Sequence, residues 1–222
     1  MNHYRFSAAD LRIVWALLAF IVILMIMPLA MSADSLNFTF SEDGPFEIIS
    51  PFVWVFAALL VLYRMKPMTP SAWAFFIGFL IFAAREADLH KKFTADGMLK
   101  INYYKHAVAP LTEKLIAGAV ALTLVIGLLC MGYVILRFLF LKNGWRTRAG
   151  FFLIVSVALM VLTKIVDRAP NVLEVDYGIM VEPLLRRIAL AYEEGLETIT
   201  PLVFAWSVWI GRDERHYLAG VR

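Results

Sequence analysis

The chain has 222 residues, of which 61% are hydrophobic, and a mean hydropathy of +0.74, well above the roughly half-apolar makeup of a soluble globular domain. This composition excludes an ordinary water-soluble domain and predicts an all-α integral membrane protein. A net charge of +3 gives no reason to expect a nucleic-acid partner, and the single cysteine, Cys130, excludes an intrachain disulfide.

Six apolar stretches, 13–31, 46–63, 71–84, 115–140, 149–165 and 196–210, predict a six-transmembrane-helix bundle forming one transmembrane domain over residues 1–222. The first resembles a secretory signal in ending on "LAMSA", but its apolar core exceeds the usual h-region of about 7 to 15 residues, so it reads as a spanning helix. The third, 71–84, is too short to cross a hydrocarbon core that takes about 20 residues. Continuing it to about His90 supplies the missing length. The sixth, 196–210, is short in the same way, and its buried part is expected to begin near Ala191. Before it, the stretch 170–192, with Arg186 and Arg187, has the apolar spacing of a surface helix suited to anionic headgroups. Trp54, Trp73, Trp145, Trp206 and Trp209 lie in or near helix ends, where interfacial belts are the default reading.

Charge sets the orientation. Arg5 and Arg12 precede the first helix, while Asp34, Glu42 and Asp43 follow it, which predicts cytoplasmic amino and carboxyl termini. On that topology the inner segments, including "YRMKPMTP", "RFLFLKNGWRTR" and "GRDERHYLAGVR", hold 11 Lys and Arg against 3 acids. A bacterial-type cytoplasmic (inner) membrane fits this pattern. The longer connections then face outward.

The extended third and sixth helices carry "AAREADLHKK" and "YEEGLE" into the outer leaflet. Residues four apart share a helix face, so Glu86 pairs with His90 and Glu193 with Glu197. Intramembrane ionisable groups are costly and normally face partners in a bundle interior. Carboxylates with one imidazole are the ligand set of a divalent cation such as Zn²⁺, Mn²⁺ or Fe²⁺. Glu86, His90, Glu193 and Glu197 are the candidate ligands, Glu194 or Asp167 the candidate general base, and Glu47, Asp88, Arg85 and Glu42 secondary candidates at the same level. Lys164, Arg168, Glu113 and Lys114 come to that level too, and His106 reads as a solvated loop residue.

Three functions are compatible with this pattern. A metal-dependent membrane hydrolase would activate water against a lipid or exported substrate. A cation- or proton-coupled transporter would use the acids as a relay. A non-enzymatic accessory or scaffold protein, besides contacting membrane lipids, would dock a protein partner through its charged outer end, its acids neutralised by Lys164, Arg85 and other cations. Glu-x-x-x-His is a weak motif, and neither a nucleotide-binding loop nor a cysteine-histidine cluster is present.

Overall fold

The computed structural model describes residues 6–41, 44–89, 94, 97–106 and 109–219, with side chains described as far as Arg212. Among the described residues there are helices and no strands. The stretches Ala8–Ala30, Ala33–Arg64, Leu111–Leu141 and Arg148–Val175 are long and apolar enough to cross a membrane, as expected of a helical membrane protein.

Helix α1, Ala8–Ala30, starts before the apolar run because Ser7 and Asp10 form a capping box. Each side chain accepts a hydrogen bond from the other's backbone N–H. Ser32 caps the short α2, Ala33–Phe40, and α3 follows over Pro45–Arg64. Helix α4, Pro70–Glu86, opens on a Thr69 cap with proline in its first turn. It stops at Glu86 and does not reach His90. Asp88 takes a left-handed backbone with φ 52°, and the Ala87 N–H bonds to the carbonyls of Ala83 and Arg85, which closes the helix. Helix α5 covers Ile101–His106, with His106 exposed as expected. Helix α6, Leu111–Leu136, runs into a π turn at Arg137–Leu141. A left-handed Asn143 and a 3₁₀ turn at Gly144–Arg146 then lead to α7, Arg148–Val175, capped by Thr147. Helix α8, Pro183–Ala219, is continuous through Ala191, which is fully buried, as the shortness of the sixth apolar stretch requires.

The chain forms two compact units, one of residues 1–50 and 143–222 and one of 51–142. In the first, α7 and α8 are antiparallel. Ser207 donates to the Ala149 carbonyl, Lys164 meets Glu197 and Arg186 meets Glu174, pairs whose numbers rise on one helix as they fall on the other. Helix α1 runs antiparallel to α8. The Asp10–Trp206 and Ile21–Tyr192 hydrogen bonds set its register, and a Cβ on Gly195 would lie 2.5 Å from the Leu24 methyls, so the helices approach closely there. Leu24, Leu36, Phe40, Phe152, Leu159 and Leu196 fill the core. In the second unit α4 and α6 are antiparallel, Gly78 against Met131 and Gly127 against Ile81, and Trp54 stacks on Phe82 with ring centres 4.7 Å apart.

Three sequence expectations change. The stretch 170–192 is no surface helix: its first part completes α7, a turn with Gly178 at φ 66° follows, and Pro183 opens α8. Glu174 holds the turn, accepting the Val181 N–H at 3.2 Å and pairing with Arg186. Trp54 is 3% exposed, and Trp206 donates a hydrogen bond to a buried carboxylate, so neither belongs to an interfacial belt.

A Cβ added at Gly150 would lie 1.9 Å from the backbone oxygen of Gly144, whereas one at Gly132 meets nothing within 4 Å. Gly150→Ala is therefore expected to lower the melting temperature in detergent by at least several degrees, because the Gly144–Arg146 turn must move. Gly132→Ala is expected to leave it unchanged or raise it, alanine being better by roughly 1 kcal/mol in a helix. Parallel thermal melts of the two variants check the contrast.

Candidate functional site

The antiparallel register of α7 and α8 brings Lys164 and Asp167 opposite Glu193 and Glu197. Lys164 and Asp167 are three residues apart on one face, as Glu193 and Glu197 are at a spacing of four. The Lys164 Nζ lies 2.7 Å from Glu197 Oε1 and 3.6 Å from Asp167 Oδ2. The Glu193 and Asp167 carboxyl groups face each other across the helix pair. The Glu197 side chain is 15% exposed and that of Lys164 40%. Next to them the Thr198 hydroxyl bonds both to its own helix at Glu194 and to the Phe46 carbonyl. This ties the start of α3, where Glu47 is half-buried, to the same level of α8.

Of the sequence candidates, Asp167, Glu193 and Glu197 therefore share one cluster, Glu194 lies within it in sequence, and Glu47 neighbours it. Glu86 and Arg85, 3.5 Å apart, close α4 in the second unit, with Asp88 just beyond. His90 and Glu42 lie outside the described residues. Among the described residues no group of three or more His, Cys, Asp or Glu is arranged to hold a metal ion. The donor chemistry agrees. A divalent ion bonds carboxylate oxygen at about 2 Å, and Glu197 Oε1 already meets the Lys164 ammonium.

A second polar node was not anticipated from the sequence. Asp10 is fully buried. Its Oδ2 accepts from the Ser7 N–H and hydroxyl, both at 2.7 Å, and from Arg148 Nη1 at 2.9 Å, while Oδ1 accepts from the Trp206 indole at 3.1 Å. The start of α1, the start of α7 and the apolar half of α8 meet at this carboxylate. The signal for it was present: Ser-x-x-Asp before an apolar run marks a capping box, and an acid in the first turn is favoured by the helix dipole. Sixteen residues of α7 separate Arg148 from Lys164, about 24 Å at helical rise. The Asp10 node thus lies at one end of the helix pair, and the Lys164 cluster lies part-way along it, ten residues short of the Glu174–Arg186 contact at the other end.

In the second unit Glu113 and Lys114 act locally. Glu113 accepts from the Tyr103 hydroxyl at 2.7 Å, and Lys114 donates to the Tyr104 carbonyl at 3.2 Å. Burial, reinforced by the Glu113 carboxylate, pushes the Tyr103 phenol up to about 12.

Two predictions follow from these contacts. Asp10→Asn leaves Arg148 facing a neutral partner and is expected to destabilise the protein by roughly 3 kcal/mol, with Arg148→Met costing less in that background than in the wild type; melts of the four proteins of the cycle measure the difference. For Tyr103, a raised pKa means that the stabilisation from its neutral form is complete below pH 10 and is lost as pH rises through about 12. Tyrosinate absorbance is expected to show one late-titrating group that Tyr103→Phe removes.

No protein-family model matches the chain, and neither a curated protein nor a solved structure matches it, so function rests on the chemistry of these two nodes.

Proposed function

We propose that the chain is a six-span protein of a bacterial-type cytoplasmic membrane, both termini inside, and that it works as a non-enzymatic accessory protein whose outer end docks a partner through the Asp167, Glu193 and Glu197 carboxylates. Four long apolar stretches support the membrane assignment. The 17-residue α4 and the apolar half of α8 bring the count to six. The common end is supported by Asp10, which gathers the start of α1, the start of α7 and Trp206 of α8.

The observation that carries the functional reading is the 2.7 Å contact between Lys164 and Glu197. It neutralises within the protein the carboxylate that a catalytic metal would need. Three carboxyl groups stand against the one Lys164 ammonium, so a partner with a basic segment suits the cluster. A second reading, a metal-dependent hydrolase with Glu194 as general base, is favoured by the convergence of three carboxyl groups from two helices. A coupled transporter has less support. Ser156, Thr200 and Ser207, buried between the two nodes, donate their hydroxyl protons to backbone carbonyls and offer no relay.

Elemental analysis of the purified protein separates the first two readings. The expected result is no stoichiometric Zn, Mn or Fe. Glu197→Gln and Lys164→Met are each expected to destabilise by roughly 1 to 3 kcal/mol, below the range of a fully buried pair because Lys164 is partly exposed. One metal per chain, lost with Glu197→Gln but kept in a Glu194→Gln variant slowed 10² to 10⁴-fold, would overturn the accessory reading in favour of the hydrolase.

A further inference from the structure

We propose that the Asp10 end of the first unit is a collar for anionic phospholipid headgroups, built from three arginine–tryptophan pairs on three separate elements. Arg12 and Trp15 lie three residues apart on α1, and Trp209 and Arg212 three apart on α8, so each pair shares a helix face. Trp145 and Arg146 are adjacent in the 3₁₀ turn, with the guanidinium 4.6 Å from the ring centre. The three rings are 69%, 46% and 37% exposed for Trp15, Trp145 and Trp209, and the three arginines are exposed.

The Asp10 node gathers these pairs at one end of the first unit. Arg12 follows Asp10 by two residues, Arg146 precedes Arg148 by two, and Trp209 follows Trp206 by three. Because α1 and α8 are antiparallel, Arg12 and Trp15 lie about 3 and 8 Å from Asp10 toward the middle of the unit and Trp209 and Arg212 about 5 and 9 Å beyond Trp206 toward its end, so the pairs form a band about 17 Å deep. Tryptophan settles at headgroup level because its ring is apolar and its N–H polar. The arginine fork beside it matches a phosphodiester through two parallel hydrogen bonds. Stacking on Trp145 holds the Arg146 guanidinium flat against the ring, which prepares it for such contact.

The charge at this end calls for anions. Asp10, buried at the node, is committed to Arg148, and among the described side chains no carboxylate pairs with Arg12, Arg146 or Arg212. In the sequence the segment 212–222 carries three arginines against two acids. The exposed Leu11 and Leu18 next to Arg12 and Trp15 place apolar surface beside the charges. A lipid satisfies both requirements, since its phosphate meets arginine and its acyl chains cover leucine, whereas a free anion satisfies only one.

The test uses the full chain in detergent with equal phosphatidylglycerol and phosphatidylcholine, and native mass spectrometry to count retained lipids. The wild type is expected to retain phosphatidylglycerol in preference, and each of Arg12→Gln, Arg146→Gln and Arg212→Gln to lower that preference by about fivefold, as roughly 1 kcal/mol per arginine implies. The triple variant is expected to show none. Arg146→Lys, which keeps charge but loses the fork, should retain part of it. Because the single variants carry the test, a triple variant that fails to insert does not obscure it. Equal retention of both lipids by the wild type would overturn the proposal, as would an unchanged preference in the single variants. Loss of the preference in Arg186→Gln/Arg187→Gln would overturn it too, by moving the lipid site elsewhere, as would displacement of the lipid by millimolar inorganic phosphate, which would mark a free-anion site.

Discussion

The arrangement of the first unit depends on one buried carboxylate. Asp10 is removed from solvent altogether, and taking such a charge out of water costs several kcal/mol unless hydrogen bonds and a counter-charge replace the hydration. Ser7, Arg148 and Trp206 supply four donors between them. Those donors come from three places in the chain, so the carboxylate is satisfied only when the starts of α1 and α7 and the inner face of α8 meet. The node therefore contributes more to register than to net stability, since an apolar replacement of the whole group would be about as stable and would fix nothing. From that register everything farther along α7 and α8 follows, including the meeting of Lys164 with Glu197.

The Lys164 cluster answers a different problem. Glu193, Glu197 and Asp167 repel one another, and repulsion between close carboxylates is relieved by a proton, a metal or a fixed cation. One of these is built in: the Lys164 ammonium faces Glu197 and Asp167. An ammonium on a flexible stem differs from a metal in one consequential respect. It can leave the pair when a stronger cation arrives, because its half-exposed side chain has room to turn.

Much of the architecture was legible from apolar periodicity and length. The shortness of 196–210 correctly required the sixth helix to extend back through Ala191, and the spacing of Glu193 with Glu197 put both on one face, which meets Lys164 and Asp167, whereas sequence spacing alone set Glu86 and His90 beside it. Length failed for 71–84, where the same reasoning carried the helix to His90. A left-handed Asp88 ends it instead, and nothing in the hydropathy distinguishes the two cases. Asp10 was missed for a related reason. Hydropathy places a helix start at the first apolar residue, whereas the start is decided by which side chain satisfies the free N–H groups, and Ser7-Ala-Ala-Asp10 does so before the apolar run begins. Trp54 and Trp206 were assigned to belts because position along a helix says nothing of rotation about it.

In a bilayer the apolar middle of such a bundle cannot hold itself together by the hydrophobic effect, because lipid is as apolar as the helices. Association must then come from close packing and from polar contacts. The first unit has both. Gly195 lets α1 and α8 approach until Leu24 fills the gap, and polar contacts join α7 and α8 at the Asp10 node, at Lys164–Glu197 and at Arg186–Glu174. The middle hydroxyls of Ser156 and Thr200 bond within their own helices and carry no interhelical information. Specificity is thus concentrated at these polar contacts. The Lys164 cluster is partly exposed and rich in carboxylate, while the Asp10 node is saturated and serves to hold its end in register.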